Sequence, residues 1–400
     1  MAESGDNYDY LLTTRAIRER AALIYEAAQQ GRLAHFRLNE ARLPSVAERV
    51  IAVTRSVYPD LRAIPYHGRY RHFDAGHVPR LAEFQASVQG LSDADKLRAR
   101  AELVITSVLL DAGAGPSWRY RERDGHTYSR SEGLAVASYH LFRSGALSAG
   151  GHVAADAEGL SSFTAAQLEA AFQVTRENPL AGLEGRAQLL QRLGAVVATS
   201  DYFAGPTRRL GNLGVFLAQS ADDGRLPATA VLDAVLRALG SIWPGREQAE
   251  GKPLGDVWRH SSFGLVPFHK LSQWLSYSLL EPLEAAHVRI DGVGELTGLP
   301  EYRNGGLFLD AGVLSLVDAS AVEREHEVAS DLVIEWRALT VALLDRLAEL
   351  VRSKLQLSAT ELPLARVLEG GSWRAGRVIA GELRADAGPP LRITSDGTVF

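Results

Sequence analysis

Apolar residues recur at helical spacing through well over half of this chain, and no other feature constrains its fold as strongly. The longest such run extends roughly from Val322 to Leu355, with apolar positions at heptad-like spacing. Others cover Thr13 to Leu33, Leu43 to Val57, Ser92 to Leu110, Arg130 to Arg143, Leu183 to Val197, Pro227 to Ile242 and Val266 to Leu283. Ser92 with Asp95, Thr164 with Gln167 and Ser358 with Glu361 have capping-box spacing and mark helix starts. There is no internal repeat, low-complexity segment or long linker. At 400 residues the chain can bury a large core. These features predict one large, mainly α domain spanning residues 1–400. Only the end changes character. RVIAGELR and PPLRITSDGTVF alternate and hold turn residues, which predicts a small β-hairpin or extended tail over 372–400, docked through the terminal Phe400.

Composition narrows the function. A net charge of -5 argues against a duplex-binding surface, which needs a basic footprint, so no nucleic-acid partner is expected. The chain has no cysteine, which excludes disulfides, thiolate metal sites and a Cys nucleophile. The opening MAESGDNYDY is acidic and polar, unlike a secretory signal, and no apolar run approaches the roughly 18 residues of a membrane helix. A cytoplasmic protein is therefore expected. His67, His72 and His77 are spaced by five, which fits neither one helix face nor the usual short ligand spacings, so no metal is expected. There is no Walker motif, nucleophile elbow or His-Glu-x-x-His.

The chemistry-bearing residues fall in a few stretches. LTGLPEYRNGGLFLD, Leu296 to Asp310, packs Glu301, Tyr302, Arg303, Asn304 and Asp310 between apolar ends. Gly298, Pro300, Gly305 and Gly306 argue against a long regular helix there. A glycine-rich turn can instead aim a carboxylate at a ligand; the plainer alternative is a solvated turn. Tyr66 to Arg80 is dense in His and Arg without helical periodicity, which predicts an ordered loop. Arg69, Arg71 and His72 are its candidate anion contacts, unless it is a plain surface loop. Asp111 ends an apolar helix and leads through a Gly/Pro turn to Trp118, the arrangement of a pocket wall, although a lone Trp is more often core. Arg208 and Arg209 in a Gly/Pro loop offer a second anion site or a solvated pair. Lys270 and Gln273 flank the apolar stripe of Leu271, Trp274, Leu275, Ser278 and Leu279. A lysine at such a rim usually snorkels to water; held in a pocket, it is a fixed cation. Glu335 and Arg337 interrupt the apolar centre of the longest helix.

Several of these stretches, in order, resemble a known family. YHGRYRHFDAG, LLDAGAGPSWRY, RSEGLAVAS, VPFHKLSQWLSYSLLEPLE, LTGLPEYRNGGLFLD and the terminal SDGTVF are similar to an uncharacterised bacterial and fungal family tied to the ribosylurea route of uracil catabolism. More distantly, the chain resembles the queuosine-salvage N-glycosidases, helical proteins of the DNA-glycosylase-like (helix-hairpin-helix) type that hydrolyse a 5′-phosphorylated nucleoside. Leu296-Thr297 with Glu301-Tyr302-Arg303, Lys270 with Gln273, Asp111-Ala112 with Trp118, and Glu335 with Arg337-Ala338 and Thr340-Val341 match that family's motifs in order. Two departures stand out. A glutamate, Glu301, occupies the position of the family's catalytic aspartate, and Gly113 to Pro116 replace an aromatic-rich approach to the Trp. The second implies a different or smaller leaving group than a deazaguanine base.

The resemblance implies an N-ribosyl hydrolase acting on a small phosphorylated ribosyl substrate, with no cofactor. It assigns to Glu301 the stabilisation of an oxocarbenium-like sugar and the activation of water. Lys270 would position that carboxylate or a 5′-phosphate, and Arg303, Arg69, Arg71 or Arg209 would complete the anion site. Asp111 would bind the N–H groups of the leaving urea or base, beside Trp118. Asp310 is a second carboxylate candidate, and Tyr302, Gln273, His72, Glu335 and Arg337 are substrate-contact candidates. Hydrolysis of an intact nucleotide such as UMP, or nucleotide binding without catalysis, remain alternatives, and the oligomeric state is not given by the sequence.

Overall fold

The computed structural model describes residues 7–115, 117–243 and 246–394. Its longer helices are Thr14–Gln29 (α1), Leu43–Val57 (α2), Arg80–Val88 (α3), Asp93–Leu109 (α4), Arg130–Arg143 (α5), Leu183–Thr199 (α6), Asn212–Gln219 (α7), Ala228–Leu239 (α8), Lys270–Glu284 (α9), Tyr302–Asp310 (α10), Asp331–Leu355 (α11) and Trp373–Leu383 (α12). The protein is mainly helical, as the periodicity requires. Short strands occur only as two-stranded pairs among the described residues.

Local signals set most of the helix starts. Ser92 Oγ accepts from the Asp95 amide to open α4, and Ser330 Oγ accepts from Val333 to open α11. Thr164 and Gln167 form a reciprocal capping box on the short helix Ala165–Ala171. Val322 to Val328, expected inside the longest helix, instead form a 3-10 turn and the strand Glu325–Glu327, because the Ser330 cap starts α11 later. Ser358 and Glu361 do exchange hydrogen bonds, but they close a turn rather than opening a helix.

The tail is the largest departure. RVIAGELR lies in α12, not in a hairpin: its alternation is local, whereas burying Ala375, Gly376, Ile379 and Ala380 gives it a helical apolar stripe. Of the expected β element only Arg392–Thr394 is a strand, and it pairs parallel with Glu325–Glu327, far away in sequence. The terminal SDGTVF and the docking of Phe400 lie outside the described residues. The segment before α9 also holds an unexpected antiparallel hairpin, Val257–His260 with Gly264–Pro267.

Buried apolar side chains form one continuous cluster running through these helices. At its centre α4 packs on α9 and α5, while α10 packs on both α11 and α12. Two glycines permit that close approach. A Cβ at Gly305 would lie 2.8 Å from the Trp336 indole, and a Cβ at Gly376 would collide with the Arg303 carbonyl. This is why glycines expected to break a helix sit inside α10. No helix among the described residues is long and apolar enough to cross a membrane.

Candidate functional site

Lys270 is the first residue of α9, and the fold invests heavily in fixing that helix end. His269 before it is held in the left-handed region, with φ 48°. The Asp256 carboxylate accepts from the Lys270 backbone N–H at 2.9 Å, capping the helix, and from Trp258 Nε1 at 2.7 Å. Both of its oxygens are gripped by Arg337, at 2.8 and 2.7 Å. Burial alone would raise the Asp256 pKa, but the Arg337 guanidinium and these hydrogen bonds hold it well below the usual carboxylate range. The Lys270 ammonium, by contrast, makes no hydrogen bond or ion pair among the described residues. Burial pushes its pKa down, and the charges that oppose this most are Glu301 and then Asp111.

Glu301 is the N-cap of α10. Its two carboxylate oxygens accept the Arg303 and Asn304 amides, each at 2.7 Å. Asn304 secures the turn by donating to the Leu299 carbonyl and accepting from Ser372 Oγ. The segment leading into the cap is tied to α9: the Thr297 amide donates to Gln273 Oε1 at 3.3 Å, and Tyr277 OH donates to the Thr297 carbonyl at 3.0 Å. Glu301 is only 7% exposed. Burial pushes its carboxyl pKa up, against the two amides and Lys270. Each oxygen keeps a lone pair for a further donor.

Asp111 follows the C-terminus of α4. Its carboxylate accepts from Arg69 Nη1 at 2.8 Å and from Ser131 Oγ at 2.9 and 2.7 Å. Arg69 is fully buried and also donates to Ser107 Oγ at 2.6 Å, with its guanidinium 5.4 Å from the Trp274 ring centre. The turn carrying Asp111 is shaped by Arg186, which is buried and donates to the carbonyls of Leu110, Ala112 and Gly113. His72 packs between Trp274 and Trp373, where burial and then Arg69 push its pKa down to about 4. A cleft of about 390 Å³ opens beside it, lined among others by Arg71, Glu132, Trp373 and Arg377.

Around these groups, buried polar atoms lack partners. Arg69 Nη2, Gln273 Nε2, Trp274 Nε1, Thr297 Oγ1 and Arg303 Nε make no hydrogen bond among the described residues. Each would cost on the order of 1–3 kcal/mol if left dry, so a cluster of them marks a place for a polar ligand or water. All five can donate, as can the Lys270 ammonium, so the constellation suits a ligand rich in oxygen.

The structure thus brings together Lys270, Gln273, Glu301, Tyr302, Arg303, Asp111, Arg69 and His72. It places other sequence candidates elsewhere. Trp118 is not on a pocket wall: it is fully buried, stacks on Phe172 and donates to the Phe172 carbonyl at 3.0 Å. Asp310 closes the far end of α10, roughly 13 Å of helix from Glu301, and binds Arg384 through both oxygens. Arg209 is committed to the buried Glu102 at 2.9 and 2.8 Å. Glu335 is buried near His35 and His260 at the start of α11. Arg337 grips Asp256, which caps the Lys270 helix end, and its charge also helps push the Lys270 pKa down. Arg71 pairs with Glu281 at the cleft. The sequence assigns no role to Asp256, Ser131 or Arg186. Among the described residues, no group of three or more His, Asp or Glu could hold a metal ion.

Comparison with known proteins places this arrangement in context. Residues 10–400 match a family described as "Protein of unknown function (DUF1688)". The chain is 40% identical over 400 residues to "Protein urg3" of Schizosaccharomyces pombe, covering 98% of each chain. It is 38% identical over 439 residues to "Uracil catabolism protein 4" of Lachancea kluyveri, again covering 98% of each.

Proposed function

The chain belongs to the DUF1688 family, and from that premise we propose that it is an N-ribosyl hydrolase of uracil catabolism, cleaving ribosylurea or its 5′-phosphate to urea and ribose or ribose 5-phosphate. The name of the Lachancea kluyveri relative supports the pathway. The ordered motifs support both the chemistry and a DNA-glycosylase-like relationship for the helical fold. The observation that carries the reading is a lysine without a partner among the described residues, in the field of two anchored carboxylates and amid unsatisfied donors.

In this mechanism the C1′–N bond breaks with its electron pair leaving on nitrogen, and the sugar becomes oxocarbenium-like. Glu301, fixed by two amides, holds its negative charge against that developing cation. It also accepts the proton of the attacking water as the new C1′–O bond forms. The Lys270 ammonium, made more acidic by burial, protonates the departing urea. Asp111 accepts from urea N–H groups with the lone pairs that Arg69 and Ser131 leave free.

A second reading, binding without turnover, draws on one feature: both Glu301 oxygens already serve a helix cap. Incubation with ribosylurea, ribosylurea 5′-phosphate and UMP, assaying urea, uracil and reducing sugar, separates the readings. Urea release is expected, and Glu301→Gln, which keeps one of the two cap bonds and is checked for its fold by circular dichroism, should lose it by a factor of roughly 100 or more while still folded. Near-normal turnover in that variant would remove Glu301 from the chemistry. Tight binding with no product would favour the second reading, and uracil release would identify a nucleotide as substrate.

A further inference from the structure

Among the described residues, the buried guanidiniums of Arg69, Arg80 and Arg337 meet the carboxylates of Asp111, Glu122 and Asp256, and buried Arg186 spends its donors on the carbonyls of the turn it shapes. Buried Arg303 and half-buried Arg130 have no carboxylate partner there either. Arg303 is 3% exposed, its Nε has no partner, and the hydrogen bond its guanidinium makes goes to the Ala387 carbonyl at 2.9 Å. Arg130, the first residue of α5, donates to the same carbonyl at 3.2 Å and to the Asp386 carbonyl at 2.6 Å. The two cations therefore share one neutral oxygen. Burial and the neighbouring Arg303 both push the Arg130 pKa down, so the charges repel. The other groups acting on Arg130 are the Tyr302 phenol, Arg377 and Asp386.

Position gives the pair meaning. Arg303 is the second residue after Glu301, and its guanidinium lies 4.9 Å from the Tyr302 ring centre. Arg130 immediately precedes Ser131, which holds Asp111. The pair thus sits beside both carboxylates of the candidate site. Two forked guanidiniums match a dianionic oxyanion far better than they match a pair of carbonyls.

The carbonyls belong to a short strap. Arg384, paired with Asp310, anchors one end and donates to the Gly388 carbonyl. Pro390 packs against Gly306 at the other end. Between them Ala387 occupies the left-handed region with φ 47°, a strained backbone for a residue with a side chain.

We propose that Arg130 and Arg303 form the subsite for a phosphomonoester on the ribosyl substrate, and that the Asp386–Ala387 carbonyls occupy the guanidiniums until the phosphate replaces them. This deepens the reading above and rests on it for the identity of the substrate. The phosphate then anchors the sugar while Glu301 faces the reacting carbon, and the strap yields as the anion enters.

The test uses Arg130→Gln and Arg303→Gln, with circular dichroism to establish that each variant folds; Arg130, at the surface of the strap, is the safer of the two. For wild type, inorganic phosphate at millimolar concentration should raise the thermal midpoint and increase amide exchange over residues 384–388. Both effects should vanish in Arg130→Gln. In kinetics, the variant should raise KM for ribosylurea 5′-phosphate about tenfold or more and leave the constants for ribosylurea unchanged. No phosphate effect on wild type, or equal changes for both substrates, overturns the subsite. Exchange at 384–388 that phosphate leaves unaltered overturns the strap. Should wild type turn over neither substrate yet respond to phosphate through Arg130, the subsite stands and the hydrolase reading falls. Equal protection by malonate would overturn the selectivity for a phosphomonoester.

Discussion

His72 shows what burial does to a single side chain here. It lies 5.9 Å from the Trp274 ring and 5.7 Å from Trp373, centre to centre, with Arg69, Glu132, Asp111 and His67 as the charged or titratable groups acting on it. Its pKa of about 4 in the folded state lies below the ordinary value near 6.5. The unfolded chain therefore takes up the proton first as pH falls. Between about 6.5 and 4 the unfolded state binds more protons, so stability rises with pH across that window and is lost on acidification. His72→Gln should flatten this slope, seen as a smaller change in denaturant midpoint between pH 7 and 5; an unaltered slope would mean that other groups carry it. At this scale the sequence revealed residue types better than partners. Lys270 and Glu301 are visible because their neighbours form recognisable motifs. Asp256 is not, since it meets Arg337 across 81 positions and nothing near either residue signals the pairing. The tie between Arg186 and the Leu110 carbonyl, across 76 positions, is equally silent.

At the level of elements, α10 is the short piece on which the site turns. It carries Glu301 as its cap and is wedged between α11 and α12 through Gly305 and Gly376. Helix propensity alone predicts that Gly305→Ala stabilises, by roughly 0.5–1 kcal/mol. Packing predicts the reverse. A Cβ 2.8 Å from the buried Trp336 indole must displace the helix or the ring, and overpacking of that kind costs about 1–3 kcal/mol. Net destabilisation in urea, with a shifted Trp fluorescence, is the expected outcome; a gain in stability would show that the interface has slack. The same competition explains why the sequence misled here. Glycines read locally as breakers, yet they serve as contact points between helices. RVIAGELR went the same way, because its alternation is a local pattern and the stripe that decides its fate faces α10. Helices with strong caps, such as α4 and α11, were legible because their signals lie within one turn. Even so, the start of α11 shifted to its actual cap.

Across the whole molecule, several of the strongest polar contacts join segments far apart in the chain. Arg209 and Glu102 are 107 positions apart, and Glu102 is fully buried. Removing the guanidinium leaves that carboxylate with only backbone partners, at a cost on the order of 3 kcal/mol. Because the pair lies outside the candidate site, Arg209→Ala should leave kcat/KM of the folded protein unchanged. The long separation has a further consequence, and it concerns time. Contacts that close such long loops and strip water from both charges belong to the last stage of folding, after the rate-limiting step. Their loss then falls on the outward journey: unfolding should accelerate roughly a hundredfold in Arg209→Ala while refolding keeps its pace. Rapid-mixing measurements along both limbs decide this, and a slowed refolding limb would place the pair in the nucleus instead. With locks that engage late, the native state should persist through long intervals of stress, a durability measured in half-life rather than in equilibrium.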